Sequence, residues 1–152
     1  MTRSIQILAA AAALALVAGA ASAADIGQIK VTHGSVTIER AGKSLPATLG
    51  ARLEQGDVVR TGFDGSVGIT MSDNSLLSAG PNSELALDQY SFDPTTNEGS
   101  FDTKLSKGTL AVVSGRIAKQ SPKVMTVHTP GATLGVRGTE FVVSADSGRS
   151  VR

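Results

Sequence analysis

The sequence predicts an all-β fold because of two features. Short apolar or alternating runs recur along the chain, each closed by turn residues, and no stretch holds a helical period of apolar residues for long. Aromatic residues make up only 3% of the chain and tryptophan is absent, so the core must be built from Val, Leu, Ile and Ala. We expect one domain of many short strands, arranged as a β-sandwich or a short β-solenoid-like roll.

The first 23 residues predict a signal peptide outside this fold. Arg3 precedes an alanine- and leucine-rich apolar segment that ends in Ala21-Ser22-Ala23, small residues at the spacing a signal peptidase reads. The segment is short for a membrane-spanning helix of about 20 residues, and no basic cluster follows it. We expect cleavage after Ala23, export to the periplasm and an all-β domain over residues 24–152. An uncleaved membrane anchor is the alternative.

Composition argues against several classes of function. The chain has no cysteine, which argues against a lipoprotein, disulfides, thiolate catalysis and cysteine-based metal sites. Without Arg3 the 14 Lys+Arg become 13, against 13 Asp+Glu, so the exported chain is neutral. A neutral chain is not expected to bind nucleic acid. Residues 64–102 carry only acidic charges and residues 104–137 only basic ones, which predicts cross-strand ion pairs or, alternatively, a dipolar partner surface.

Turn residues divide the chain into strands. A hairpin is predicted around His33-Gly34, and a turn at residues 55–57 precedes a strand at 58–60. The side chains predicted to share one face of that hairpin are Ile29, Val31, Val36 and Ile38. Further strands are expected at 67–71, 76–79 and 84–87, between turns at Asp64-Gly65, Asp73-Asn74 and Gly80-Pro81-Asn82. Residues 93–100 form the only long polar connection, and strand–turn–strand patterns follow at 101–115, 123–131 and 133–146.

The stretch TPGATLGVRGTEFVV, residues 129–143, is glycine-rich but does not predict a phosphate site. Its glycines do not follow G-x-G-x-x-G, no G-K-[ST] is present, and a strand-like run follows where a helix is needed. We interpret it as a backbone bend, in which Thr129-Pro130 is extended and Gly131 adopts a turn conformation closed to other residues. Gly135 and Gly138 would let the backbone bend around Val136, with Arg137 projecting from the bend.

Two stretches resemble the FecR-type periplasmic domain: GDVVRTGFDGSVGITMSDNSLLSAGPNSEL at residues 56–85 and VHTPGATLGVRGTEFVV at 127–143. The resemblance extends over about residues 26–143. It implies structural roles for the positions that match the family's motifs, and it leaves open whether Arg137 is structural or an exposed partner-binding residue. These positions are Gly56, Asp57, Thr61, Gly62, Asp64, Gly65, Ser66, Thr129, Pro130, Val136, Arg137, Gly138, Thr139 and Phe141.

The resemblance also implies a general role. Family prototypes are envelope regulators whose periplasmic domain, tethered through the inner membrane to a short cytoplasmic segment, reports on an outer-membrane ferric-siderophore receptor to a sigma factor. Here a predicted signal peptide takes the place of that segment and helix. A periplasmic sensing or binding module without a membrane span is therefore expected.

Residues that could carry chemistry are few, and we expect no catalytic, cofactor or metal site. The only histidines are His33 and His128, which would need to meet each other and a carboxylate such as Asp57 or Glu140 to bind a metal. No G-x-S-x-G elbow is present, and the aspartates in the turns lack the spacing of a calcium loop.

Two functions remain open. The first is a non-enzymatic signalling or interaction module that contacts an envelope protein through a sheet edge or the loop at residues 93–100. The alternative is a ligand-binding or envelope-structural module that holds glycan or another surface polymer.

Overall fold

The structure is a computed structural model that describes residues 24–120, 125–136 and 140–146. The predicted signal peptide and the motif positions Arg137, Gly138 and Thr139 lie outside these ranges. The described elements are β1 (Asp25–His33), β2 (Val36–Arg40), β3 (Lys43–Pro46), β4 (Arg52–Glu54), β5 (Val58–Thr61), β6 (Ser66–Met71), β7 (Leu76–Ala79), β8 (Glu84–Phe92), β9 (Gly99–Val113), α1 (Arg116–Gln120), β10 (Met125–Thr129), β11 (Ala132–Gly135) and β12 (Glu140–Ala145).

The strands form one curled sheet whose two halves share β9. The half we call the front sheet has the order β4-β1-β6-β7-β9-β12, and the half we call the back sheet has the order β3-β2-β5-β8-β9-β10-β11. All described pairings are antiparallel except that of β10 with β9, which is parallel. The all-β prediction is therefore confirmed.

The inner faces of the two halves enclose one hydrophobic core. Strand residues alternate between buried and outward positions, most regularly in β6 and β7, because successive side chains of a strand point to opposite faces. Both halves contribute fully buried aliphatic side chains to a single cluster. Its largest members are Phe101, Ile29, Ile38, Leu53, Ile69, Met71, Leu77, Leu85, Leu87, Leu105, Leu110 and Ile117.

Strand β9 bends at Gly108 where it passes from the back sheet to the front sheet. Before the bend odd-numbered side chains such as Phe101 and Leu105 are buried, and after it even-numbered ones such as Leu110 and Val112 are buried. Gly108 has a φ of +92°, in the left-handed region that favours glycine. The strand–turn–strand pattern at residues 101–115 is thus one bent strand, and the bend lets it present apolar side chains to the core on both sides.

The prediction that Val31 shares a face with Ile29 is wrong. The pairing of β1 with β6 shifts register between Ile29 and Val31, so Lys30 is an extra residue on β1. One extra residue reverses the facing of the side chains that follow it. Ile29 is therefore buried and Val31 is 49% exposed on the outer face of the front sheet, whereas the sequence predicted that the two share one face.

Two further local features differ from expectation. Helix α1 was not predicted, and it is only five residues long, with Ile117 and Ala118 buried. The sequence predicted for Gly131 a turn conformation closed to other residues, but Gly131, in the turn between β10 and β11, does not have a left-handed φ. No helix among the described residues is long and apolar enough to cross a membrane.

The ion pairs among the described residues do not join the acidic stretch to the basic one. Lys107 lies opposite Glu84 in the β8–β9 register, but Glu84 pairs with Arg60, at 3.2 Å from its Nε. The other ion pairs use Arg40, Arg52 and again Arg60. Among the described residues, every paired carboxylate therefore pairs with an arginine of the N-terminal half.

A side chain at Gly108 should destabilise the protein by steric overlap. Gly56, which has nearly the same φ but open space around it, separates this overlap from the cost of the backbone conformation. A Cβ on Gly108 would overlap Ser83, whereas a Cβ on Gly56, at a nearly equal φ of +90°, would meet nothing within 4 Å. Gly56→Ala should cost about 1 kcal/mol for the backbone conformation alone. Gly108→Ala should cost about 3 kcal/mol because the overlap adds to it.

Urea denaturation of both variants checks this prediction. Equal losses of unfolding free energy in Gly108→Ala and Gly56→Ala would show that the bend tolerates a side chain.

Candidate functional site

The first motif positions, Gly56 and Asp57, lock the β4–β5 turn to β2. The Asp57 carboxylate is buried and accepts hydrogen bonds from Arg40 Nε at 2.8 Å, Arg40 Nη2 at 2.7 Å and the Glu54 N–H at 2.8 Å. This hydrogen bonding, opposed in part by burial, raises the pKa of Arg40. A two-pronged guanidinium–carboxylate pair is strongly directional, so it fixes both segments.

Thr61 and Ser83 connect the neighbouring turns to the bend of β9. The Thr61 hydroxyl donates to the Gly80 carbonyl at 2.6 Å and accepts from the Ser83 N–H at 2.9 Å. The Ser83 hydroxyl in turn accepts from the Thr109 N–H at 3.0 Å, next to Gly108. This chain of hydrogen bonds holds the bend against the β7–β8 turn.

The turn between β5 and β6 packs against the β1–β2 turn through backbone contacts. The Gly62 N–H donates to the Ser35 carbonyl at 2.8 Å, and the Ser35 N–H donates to Asp64 Oδ1 at 3.2 Å. A Cβ on Gly65 would overlap the Ser35 carbonyl, so a glycine is needed there. Ser66 follows as the first residue of β6. These four motif positions thus lie together and hold two turns in contact.

The second group of motif positions lies in and after the β10–β11 hairpin. The Thr129 hydroxyl accepts from the Ala132 N–H at 3.1 Å across the turn that contains Pro130. Val136 is buried, and Phe141 is half-buried in β12. The sequence predicted a close bend at Gly135, but a Cβ there would meet nothing within 4 Å. The remaining positions, Arg137, Gly138 and Thr139, lie outside the described residues.

Asp73 is the centre of a buried polar cluster that sequence reasoning treated only as a turn. Its carboxylate accepts from the Ser75 N–H at 3.1 Å, the Ser75 hydroxyl at 2.7 Å, the Tyr90 hydroxyl at 3.2 Å and the Ile117 N–H at 3.2 Å. Burial, followed by the charge of Asp73, raises the pKa of Tyr90. The cluster ties the β6–β7 turn, β8 and α1 together, and it is closed to solvent, so its chemistry is structural.

Because the pKa of Tyr90 is raised in the folded chain, we expect the free energy of unfolding to fall at alkaline pH. Its phenol has an ordinary pKa of 10.0 in the unfolded chain and a higher one in the folded chain. The folded state therefore keeps a proton that the unfolded state loses, so stability falls as the pH rises above 10. Tyr90→Phe should cost about 1–2 kcal/mol at pH 7 through its lost hydrogen bonds and should show a shallower alkaline decline.

Thermal melts between pH 7 and pH 11 measure this effect. Lysine deprotonation is common to both proteins and cancels in the comparison. Parallel declines for the wild type and Tyr90→Phe would contradict the prediction.

The two histidines are separately placed. His33 is exposed at the end of β1, and His128 on β10 bonds through Nδ1 to the Thr133 hydroxyl at 3.1 Å. Of the carboxylates considered as their partners, Asp57 is engaged by Arg40, and Glu140 is exposed on β12. The described residues include no group of three or more His, Cys, Asp or Glu that could hold a metal ion.

An apolar patch covers part of the outer face of the front sheet. Leu76 on β7 lies directly opposite Val113 on β9, and in the next row Ala111 on β9 lies opposite Val142 on β12. Val31 packs over Gly68 at the β6 end of that row. We call the outward surface of these side chains the outer patch. Four of the seven large hydrophobic side chains that are exposed in the described structure belong to it: Val31, Leu76, Val113 and Val142.

A comparison with models of known protein families identifies the family to which these motif positions belong. A model of the family "FecR protein" matches residues 57–152, which is more than half of the chain. The chain belongs to the FecR family. It is therefore a FecR-like module related to signalling. Neither a curated protein nor a solved structure gives a significant match to it.

The polar loop of this FecR domain is compact. Asp93 Oδ1 accepts from the Thr95 N–H at 2.8 Å, and the Asp93 N–H donates to the Glu98 carbonyl at 2.8 Å. Asn97 has a left-handed φ of 59°, which asparagine tolerates in a turn. The loop spans residues 93–98, shorter than predicted, because Gly99 already begins β9. The loop is thus held by its own hydrogen bonds.

A polar cleft of about 320 Å³ lies at the β4 end of the front sheet. Its walls come from β1, β4, β6 and the turn that follows β6, and an ion pair between Arg52 and Asp25 crosses one side. The polar side chains that line it are Asp25, Gln28, Lys30, Arg52, Thr70, Ser72 and Asn74. These hydroxyl, amide and charged groups offer hydrogen-bond donors and acceptors to a polar ligand.

Proposed function

We propose that this FecR-family chain is a non-enzymatic periplasmic sensing module that contacts an envelope protein through the outer patch. The observation that carries the proposal is the clustering of exposed apolar side chains on one sheet face, since contiguous exposed patches mark interaction sites. Scattered apolar side chains would need no such explanation, but Leu76, Val113 and Val142 lie in adjacent rows of three paired strands, and Val31 lies at the β6 end of one of these rows.

The chemistry of the outer patch favours a protein partner over a sugar polymer. Its side chains are aliphatic or small, with Gly68, Ser78 and Ala111 keeping the surface flat between the larger ones. Sugar rings stack on aromatic side chains, and the outer patch contains no aromatic side chain among its four defining residues. A flat aliphatic surface instead complements another apolar protein surface.

Periplasmic location rests on the N-terminal sequence and has a direct test. If the signal peptidase acts after Ala23, the exported protein begins at Ala24 and is released with the periplasmic fraction. N-terminal sequencing of the purified protein checks this. An intact Met1 in the membrane pellet would replace the soluble module with a tethered one.

A charge placed in the outer patch should weaken partner binding without unfolding the domain. Leu76 is 46% exposed in the middle of the face, so lysine at this position can reach solvent while its charge disrupts an apolar contact. We expect Leu76→Lys to reduce the capture of envelope partners at least about tenfold, the equivalent of about 1.4 kcal/mol of binding free energy. The measurement is a pull-down from envelope extract with quantitative mass spectrometry.

Leu49→Lys is the matched control for this experiment. Leu49 is 70% exposed in the β3–β4 loop and is not a member of the outer patch, so its substitution adds the same charge outside the patch. Circular dichroism should show both variants folded. Capture of the same proteins by Leu76→Lys and the wild type would refute the outer patch as the contact surface.

The polar cleft favours a second candidate, a module that binds glycan or another surface polymer. Its hydrogen-bonding groups, including Gln28 and Asn74, match the hydroxyls of a sugar. The genes beside this one distinguish the two candidates. A receptor, cyclase or sigma-factor system favours signalling, whereas polysaccharide or surface-layer genes favour the polymer.

A further inference from the structure

Four strands form the edges of the described sheet, and they differ in how they are protected from pairing with other chains. Exposed edges are templates for further strands, and proteins block them with charges, proline or short length. β3 carries Lys43 and Pro46, and β4 has three residues, of which two are charged. β11 has four residues, two of them Ala132 and Gly135. Each of these three edges is short or blocked.

Strand β12 is the longest of these edges and the least protected. It has six residues, Glu140–Ala145, with no proline and one charge at its first position. Among the described residues it pairs with β9 alone, so its other side presents backbone groups that are not used in the sheet. Val142, at 65% exposure, stands on its outward face. Such a strand favours pairing with another strand.

We propose that β12 pairs antiparallel with β12 of a second copy of this chain, about a twofold axis at Val142. In this register Val142 lies opposite itself, Phe141 lies opposite Val143 and Glu140 lies opposite Ser144. Aromatic and β-branched side chains opposite each other stabilise antiparallel pairs. A twofold interface repeats each of these contacts, so the single strand is complementary to itself.

Charge selects this register over its neighbour. Moving the axis to Val143 would place Glu140 opposite Asp146, both exposed carboxylates, and like charges directly opposite each other are destabilising. With the axis at Val142, each Glu140 instead meets a Ser144 hydroxyl. The charges of a second copy therefore suit the edge better with the axis at Val142 than with the axis at Val143.

The inner side of the edge has room for the added strand. An apolar groove of about 280 Å³ lies between the end of β11 and β12, lined in part by Leu134, Val136, Phe141 and Val143. Inward side chains of the second β12, its own Phe141 and Val143, would enter this region from the edge. Burial of apolar surface there adds to the backbone hydrogen bonds of the new strand pair.

Cysteine pairing tests the dimer and its register. The chain has no cysteine, so each substitution introduces the only thiol. Directly opposite residues of antiparallel strands have Cα atoms about 4.5–5.5 Å apart, within disulfide range. In the protein purified as its host processes it, Val142→Cys should form a disulfide dimer under mild oxidation. A mixture of Glu140→Cys and Ser144→Cys chains should form mixed dimers in preference to either homodimer.

Leu49→Cys is the control for random collision, because residue 49 is equally accessible but lies in the β3–β4 loop. We expect it to cross-link at least about tenfold more slowly than Val142→Cys. Equal rates, or homodimers of Glu140→Cys as abundant as the mixed product, would overturn the proposal. All three positions of the edge are exposed, so the substitutions leave the core intact.

Sedimentation velocity of the unmodified protein gives a second measure. We expect a reversible monomer–dimer equilibrium, and Val142→Lys should weaken it at least about tenfold because two lysines meet on the axis. Leu49→Lys should leave it unchanged. A wild-type protein that stays monomeric up to 200 µM would overturn the dimer. That result would leave the partner-binding proposal intact, since Leu76→Lys tests it separately.

Discussion

The fold depends on one strand belonging to two halves of a sheet. β9 pairs with β8 and β10 before Gly108 and with β7 and β12 after it, so the bend at this residue sets how the two inner faces meet. The core closes only because buried positions change from odd to even at the bend. Buried Ser83, which itself donates to the Thr61 hydroxyl, holds the bend through its side-chain hydrogen bond with Thr109. The motif position Thr61 thus stabilises a strand bend that lies at Gly108, far along the chain.

The sequence predicted those features that depend on residues close together in the chain. Strands β6 and β7 were predictable because alternation and the turn residues around them agree, and each strand pairs with the next. The same signals misled at β9, where Ser-Lys-Gly resembles a turn but the strand continues through a glycine bend. They also failed at Val31, because a one-residue bulge is set by the partner strand, which alternation in β1 does not reveal.

Some residues of the candidate site could be found from the sequence, and others depend on contacts between distant parts of the chain. The motif positions were found through their resemblance to a family, and the described ones lie in turns joined by hydrogen bonds, such as Asp57 to Arg40. Asp73 was missed because its partners Tyr90 and Ile117 are 17 and 44 residues away. The outer patch was missed for a related reason. Leu76 and Val113 become neighbours only through the pairing of β7 with β9, and no local pattern reports that pairing.

The proposed dimer and the proposed partner surface are physically linked. Antiparallel pairing of two β12 strands would extend the front sheet across the axis, so the outer patches of the two copies would become parts of one surface. A partner that spans both patches would bind the dimer more tightly than the monomer, because its second contact becomes intramolecular. By reciprocity, such a partner must also strengthen the dimer by the same factor. An envelope protein could thereby report its presence through the association state of this FecR domain, without any change in the fold that Gly108 and its hydrogen-bonded turns hold fixed.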